Sequence, residues 1–138
     1  MELNHYSFEL ENDLSQLEIL RQHLTKLGHI TGLSEAFMTD TNVCLDELFT
    51  NTVSYGFEDD LKHFIRFEIK TDEKALTIRI EDEGVPFNPI LKKDPEPPND
   101  LLEARIGGLG IHIVKKLMDD IRYERIDGKN RLTMMKLF

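Results

Sequence analysis

The amino-acid sequence predicts an α/β two-layer sandwich, in which three helices cover one face of a mixed, largely antiparallel sheet. Two apolar patterns alternate along the 138 residues. Stretches with every second residue apolar indicate half-buried strands, and stretches with apolar residues three or four positions apart indicate helices. Short segments of turn-forming residues separate these stretches. A chain of this length can bury one core, so we expect a single domain over residues 1–138.

The N-terminal part combines one strand and one helix. Alternation predicts the strand, whose apolar members are Tyr6, Phe8 and Leu10. Asn12 or Asp13 can cap the helix that follows. The apolar stripe of this helix consists of leucines at helical spacing, namely Leu14, Leu17, Leu20, Leu24 and Leu27. Gly28 predicts the end of this helix.

The second helix is predicted from a capping Ser34 to about Gly56, and it carries the first candidate site residues. Its apolar stripe comprises Phe37, Cys44, Leu45, Leu48, Phe49, Thr52 and Tyr55. Glu47 and Asn51 lie one turn apart at the edge of this stripe, where a side chain can line a pocket. An amide oxygen can bind Mg²⁺, and a carboxylate can orient or deprotonate a nucleophile. A solvated helix flank is the alternative interpretation.

Two strands after this helix form a predicted β-hairpin around residues 71–74. Their apolar members are Ile65, Phe67 and Ile69 in the first strand and Leu76, Ile78 and Ile80 in the second. Asp82 continues the parity of the second set, so its carboxylate should point toward the covered face of the sheet. A carboxylate in that position needs a partner. The alternative is a turn residue at the end of the strand, just before Gly84.

The stretch 85–105 contains all five prolines of the chain, so regular structure is not expected across most of it. A loop of this length is usually functional or disordered. We interpret it as a lid over a ligand, with an untethered surface loop as the alternative.

The segment Ile106-Gly107-Gly108-Leu109-Gly110 directly precedes a predicted third helix. Glycines at a helix N-terminus let the backbone approach an anion with free N–H groups, although a plain helix-entry turn is possible. The spacing matches neither a P-loop nor a dinucleotide-binding motif. The predicted apolar face of this helix comprises Ile113, Val114, Leu117 and Met118. A second hairpin follows, with its turn predicted at residues 127–130.

Composition and charge exclude several classes of function. The formal net charge of −9 argues against a nucleic-acid surface, but not against a nucleotide held by Mg²⁺ and backbone N–H groups. Cys44, the single cysteine, is predicted to be a buried core thiol. The five histidines show no zinc-binding spacing. We find no signal peptide and no apolar run that could span a membrane, so we expect a cytoplasmic protein.

Three features in this order resemble the GHKL ATP-binding superfamily, which includes sensor histidine kinases, type II topoisomerases and Hsp90-type chaperones. These features are Glu47-x-x-x-Asn51 on a helix, Asp82-x-Gly84 at a strand end, and a proline-rich loop before Gly107-Gly108-Leu109-Gly110. Within this superfamily the whole chain resembles a stand-alone anti-sigma factor serine/threonine kinase. The strongest likeness lies in residues 82–89 and 107–120. The resemblance implies a Bergerat-type ATP-binding fold, with nothing left over for a sensor domain.

The resemblance also implies a role for each candidate residue. Asn51 would ligate the Mg²⁺ that bridges the ATP phosphates. Asp82 would accept a hydrogen bond from the adenine amino group, and Gly84 would let the adenine lie close to the backbone. The glycine segment, comprising Gly107, Gly108, Leu109 and Gly110, would receive the phosphates. Glu47 would act as the general base, and we add the hypothesis that Arg105 reaches the γ-phosphate.

These roles imply an anti-sigma regulatory factor that binds a sigma factor, phosphorylates a small anti-sigma antagonist from MgATP, and forms a homodimer. Thr52 and Tyr55 stand where the family often has Ala and His, which leaves the efficiency of phosphoryl transfer open. A non-catalytic module that uses ATP only to select its protein partner is the second hypothesis. An ATP-hydrolysing enzyme without a protein substrate is the third.

Overall fold

The computed structural model describes residues 5–91 and 109–138 of the chain. Five strands form one sheet: β1 His5–Glu11, β2 Phe64–Thr71, β3 Ala75–Asp82, β4 Asp120–Ile126 and β5 Lys129–Leu137. Three α-helices are described: α1 Leu17–Thr31, α2 Glu35–Tyr55 and α3 Leu109–Leu117. Short 3-10 turns cover Leu14–Gln16 and Pro89–Leu91. The predicted α/β two-layer sandwich is therefore confirmed.

The strands are ordered β1-β2-β3-β5-β4, and each pair of neighbours is antiparallel. Within the described ranges the sheet therefore contains no parallel pair. Alternate residues are buried on one face of the sheet, as half-buried strands require. One row of the core crosses four strands, formed by the buried side chains of Phe8, Phe67, Ile80 and Leu132.

The start of the first helical segment follows the sequence prediction and decides between its two candidate caps. Asp13 accepts a hydrogen bond from the backbone N of Ser15 at 2.9 Å, at the start of the 3-10 turn that leads into α1. Asn12 instead holds the loop before β2, since its side chain bonds to the backbone of Leu61 and His63.

The predicted end of α1 at Gly28 is wrong. The helix continues to Thr31, and Gly32 ends it with a φ of 69°, the left-handed conformation that favours glycine. Gly28 serves helix packing instead, because a Cβ at this position would lie 3.3 Å from Cγ of Met38 in α2.

Helix α2 begins and ends as predicted. The Ser34 hydroxyl oxygen accepts a hydrogen bond from the backbone N of Phe37 at 3.1 Å, and Gly56 follows the last helical residue. Cys44 is fully buried, and this burial raises the pKa of its thiol to about 11, which confirms the predicted core thiol. Tyr55 was assigned to the apolar stripe but is 55% exposed, since it lies in the last turn.

Two details of the C-terminal part differ from the prediction. On α3, Ile113 is 41% exposed, while Ile111 and Val114 are buried. The turn between β4 and β5 contains only Asp127 and Gly128, whose φ values of 51° and 75° suit a two-residue hairpin turn. The residues after this turn, predicted as part of it, already belong to β5.

None of the described helices is both long enough and apolar enough to cross a lipid bilayer. The boundaries of the predicted domain, residues 1–138, stay a prediction.

We expect Gly32→Ala to lower the free energy of unfolding by about 1–2 kcal/mol, because Ala is strained in the left-handed conformation at the end of α1. Urea denaturation followed by circular dichroism measures this change. Lys26→Ala, at an exposed position inside α1, is the control and should change stability by less than about 0.5 kcal/mol. Equal stability of Gly32→Ala and the wild-type protein would contradict this account of the helix end.

Candidate nucleotide-binding site

A cavity lies between α2 and the sheet, where β3 ends. The cavity opens to solvent, and its empty space, which includes part of that solvent, is about 490 Å³. Its apolar lining includes Leu48, Ile80, Phe87, Tyr123 and Leu132. Its polar lining consists of Asn51, Thr52, Asp82 and Asn130. The sequence-predicted residues Asn51 and Asp82, which are distant in the chain, therefore line the same cavity.

The Asp82 carboxylate is the buried acid of this cavity, as its parity on β3 predicted. Its residue is only 8% exposed. Oδ1 accepts hydrogen bonds from the backbone N of Gly84 at 2.9 Å and from Nδ2 of Asn130 at 3.0 Å. Among the described residues no hydrogen bond reaches Oδ2. Asp82 thus has the partners that a buried acid needs and one oxygen left for a ligand N–H group.

Gly84 brings the end of β3 against the end of α2. A Cβ at Gly84 would overlap the backbone oxygen of Gly56, and the same oxygen accepts a hydrogen bond from the backbone N of Val85 at 2.8 Å. On the other side, Nη1 of Arg125 donates to the backbone oxygen of Gly84 at 2.7 Å. The absence of a side chain therefore lets two backbones meet beside the cavity.

Asn130 is the site residue that sequence reasoning missed, because it was assigned to the turn. It is 7% exposed and lies opposite Asp82 in the register of β3 and β5. Its side chain bonds to Asp82, to the backbone of Val85 and Phe87, and to the hydroxyl of Tyr123. A shorter Asp-Gly turn would have placed Asn130 in phase with the apolar positions of β5, which was the available signal.

Glu47 lies next to the N-terminus of α3 rather than in the cavity lining. Helix α3 is described from Leu109, so Leu109 and Gly110, which were predicted to precede the helix, belong to it. A Cβ at Gly110 would overlap the Glu47 carboxylate, so the missing side chain gives this carboxylate its place. The first backbone N–H groups of a helix have no partner within the helix, and they favour negative charge. A phosphate chain bound by these N–H groups would lie beside the Glu47 carboxylate.

Asn51 follows Glu47 by one helical turn and is half-buried at the cavity wall. No hydrogen bond engages its side chain within residues 5–91 and 109–138, so its amide oxygen is free to act as a ligand. Thr52 beside it is occupied, since its hydroxyl donates to the backbone oxygen of Leu48 at 2.9 Å.

Three of the predicted site residues, Arg105, Gly107 and Gly108, lie outside the described residues. Their roles stay predictions. The same holds for the predicted lid, residues 85–105, beyond its first part, which is described as far as Leu91. In that first part, Phe87 and Pro89 line the cavity.

The residues present fit MgATP. A mostly apolar slot suits a flat heteroaromatic base, and the free oxygen of Asp82 suits an amino group on that base. The half-buried amide of Asn51 suits a magnesium ion, because Mg²⁺ prefers oxygen ligands.

Comparisons with known proteins found similar sequences. The family model described as histidine kinase-like ATPase domain matches residues 10–136. A serine-protein kinase RsbW from Listeria monocytogenes is 30% identical over 106 residues, which cover 74% of this chain and 68% of the relative. An anti-sigma F factor from Clostridium novyi is 22% identical over 99 residues, which cover 72% of this chain and 69% of that protein.

The fold also occurs in a solved structure. The crystal structure of the RsbU and RsbW domains of a Mycobacterium tuberculosis protein superposes with a TM-score of 0.66 at 14% identity. The match covers 98% of this chain and 33% of that larger one. At this identity the likeness concerns the fold.

We expect Gly84→Ala to lower the free energy of unfolding by about 1–3 kcal/mol, because the new methyl group would meet rigid backbone. Gly110→Ala is the matched control. There the methyl group meets the end of the Glu47 side chain, which can rotate away, and Ala in a helix offsets about 1 kcal/mol. Urea denaturation compares the two variants. A Gly110→Ala variant as destabilised as Gly84→Ala would contradict this difference.

Proposed function

The chain belongs to the histidine kinase-like ATPase domain family, and from this premise we propose that it is an ATP-dependent protein serine/threonine kinase. We propose further that it acts as an anti-sigma regulatory factor and phosphorylates a small anti-sigma antagonist protein. The names of its relatives, serine-protein kinase and anti-sigma factor, support this function. The observation that carries the proposal is the cavity in which Asp82 and Asn51 are both accessible to one ligand.

In this proposal the adenine lies in the apolar slot and its amino group donates to Oδ2 of Asp82. The protein already engages Oδ1, so the ligand must supply a donor rather than an acceptor. A base with an oxygen in place of the amino group would set two acceptors against each other. The slot therefore favours adenine over guanine.

The first turn of α3, beside Glu47, would hold the phosphates. Asn51 would hold the Mg²⁺ ion, and the backbone N–H groups at Leu109 and Gly110, with Gly107 and Gly108, would bind phosphate oxygens. Arg105 is assigned to the γ-phosphate. Bound MgATP supplies the phosphoryl group for transfer.

Glu47 would accept the proton of a serine or threonine hydroxyl on the partner protein. Its carboxylate lies on the α3 side of α2, one turn before the magnesium ligand, so an acceptor hydroxyl beside it faces the end of the phosphate chain. Phosphoryl transfer depends mainly on positioning and electrostatic stabilisation. The packing of α2 against α3 supports such positioning.

A sigma factor would be the second partner, bound in one nucleotide state and released in another. A homodimer and a cytoplasmic location belong to the same proposal. The alternative, a non-catalytic module that uses ATP to select its partner, retains the same cavity and differs only in the role of Glu47.

MgATP should raise the melting temperature of the wild-type protein, since a ligand at about one hundred times its dissociation constant adds roughly 2.7 kcal/mol of stability. In Asn51→Ala this increase should shrink, because the variant loses a magnesium ligand. Differential scanning fluorimetry measures both shifts. Ser54→Ala, an exposed position on the same helix, should respond like the wild type. No shift in the wild type would count against the nucleotide site itself.

Glu47→Gln should retain MgATP affinity but lose transfer to the antagonist protein, because the amide keeps the shape of the side chain and cannot accept a proton. Mass spectrometry of the antagonist after incubation with MgATP detects phosphoserine or phosphothreonine. Glu35→Gln, at an exposed site in the first turn of α2, is the control and should transfer normally. If the wild type binds MgATP and yields no phosphorylated partner, the binding-module alternative is correct.

A further inference from the structure

We propose that Asn130 is a positioning residue, whose amide is locked in one orientation so that it holds the Asp82 carboxylate for the nucleotide base. This inference rests on the proposed function and deepens its account of the base site. It comes from the hydrogen bonds around Asn130.

All hydrogen-bonding groups of the Asn130 amide are in use. Its Oδ1 accepts from the hydroxyl of Tyr123 at 2.5 Å and from the backbone N of Phe87 at 3.3 Å. Its Nδ2 donates to Oδ1 of Asp82 at 3.0 Å and to the backbone oxygen of Val85 at 2.8 Å. Two donors and two acceptors therefore surround a side chain with two acceptor sites and two N–H groups.

This arrangement allows only one orientation of the amide. After a flip, the NH₂ group would face the backbone N–H of Phe87, and the amide oxygen would face the carboxylate of Asp82 and the carbonyl of Val85. Both changes would set like groups against each other, which is costly where water is excluded. The Phe87 N–H is a donor whatever its surroundings, so it fixes the assignment, and Tyr123 strengthens it.

The locked amide has two consequences for the cavity. It engages one oxygen of Asp82, together with the backbone N of Gly84, which leaves the second oxygen for a ligand. It also ties Asp82 to the segment 85–87 directly after β3, where Phe87 lines the cavity. The base acceptor and one wall of its slot are thus held by the same side chain.

The charges around this pair come from three strands. On β4, Arg125 bonds to the Gly84 carbonyl oxygen, and Tyr123 is the titratable neighbour of Asn130. Glu83, after β3, and Lys129, on β5, line a second cavity with Asp82. Arg131 and Glu81 form an ion pair one residue along each strand from Asn130 and Asp82, so their side chains lie on the other face of the sheet. From α2, the cavity lining consists of uncharged residues: Leu48, Asn51 and Thr52.

Asn130→Asp tests the inference, because it replaces the N–H donor to Asp82 with a second carboxyl group. Two adjoining carboxyl groups share a proton, and the pKa of one of them is strongly raised. At low pH the shared proton restores the hydrogen bond. As the pH rises through the raised pKa, this proton dissociates and the hydrogen bond is lost. Isothermal titration calorimetry measures the affinity of the variant for MgADP, which is divided by the wild-type affinity at the same pH. This affinity ratio should fall by about tenfold or more between about pH 5.5 and 8.5.

A ratio that stays flat over this range overturns the inference while leaving the proposed function intact, provided that the wild type binds MgADP. Gln22→Glu is the control, since it makes the same amide-to-acid change on the exposed side of α1, and its ratio should stay flat. A wild type that binds no MgADP would overturn the proposed function, and this inference with it.

Tyr123→Phe decides the question if Asn130→Asp fails to fold. It removes only the hydroxyl that helps to lock the amide, so the preference for MgADP over the inosine analogue, which carries oxygen in place of the amino group, should fall by about threefold or more. Tyr55→Phe, which removes a hydroxyl from an exposed ring, should keep the wild-type preference. If the folded Tyr123→Phe variant keeps the wild-type preference, the inference is overturned, because the Tyr123–Asn130 hydrogen bond would then have only a structural role.

Discussion

The buried carboxylate of Asp82 is the constraint on which the site depends. A charged group removed from water must be hydrogen-bonded, and the surrounding chain supplies donors from Gly84 and Asn130. Gly84 lies in the segment after β3, and Asn130 lies at the start of β5, which is distant in sequence. Their hydrogen bonds to Asp82 therefore hold these two segments and the end of β3 together in one cluster. Within the described part of the chain the other oxygen of Asp82 has no hydrogen-bond partner, and in the proposed function this oxygen selects the nucleotide base.

Helix α2 serves both the core and the site. Its apolar stripe, which includes the fully buried Leu45 and Phe49, anchors it on the sheet. The flanks of the same helix carry Asn51 toward the cavity and Glu47 toward α3. A helix held by its core face presents its flanking side chains with little freedom, and phosphoryl transfer needs such fixed positions more than it needs unusual side-chain chemistry. Glycines at the two ends of the site, Gly84 and Gly110, let the neighbouring groups approach closely.

The family assignment and the cavity rest on different observations. The match over residues 10–136 identifies the family without reference to any distance. The cavity brings Asp82 and Asn51 together without reference to any relative. Asn130 lies at the proposed base site, and its four hydrogen bonds make it a structural part of the cavity rather than a turn residue.

Local patterns determined much of this protein from the sequence alone. Periodicity predicted the five strands and three helices, and Ser34 and Asp13 were recognisable as helix caps. The parity of β3 indicated that Asp82 points inward. Each of these signals lies within a few neighbouring residues, so the sequence alone displays it. Tertiary structure alone decided the rest. The bond from Asn130 to Asp82 joins residues 48 positions apart and depends on the register of β3 and β5. The contact of Glu47 with Gly110 likewise depends on which segments pack together. Sequence spacing does not reveal such neighbours, because they meet only when the strands pair and the helices pack in the folded protein.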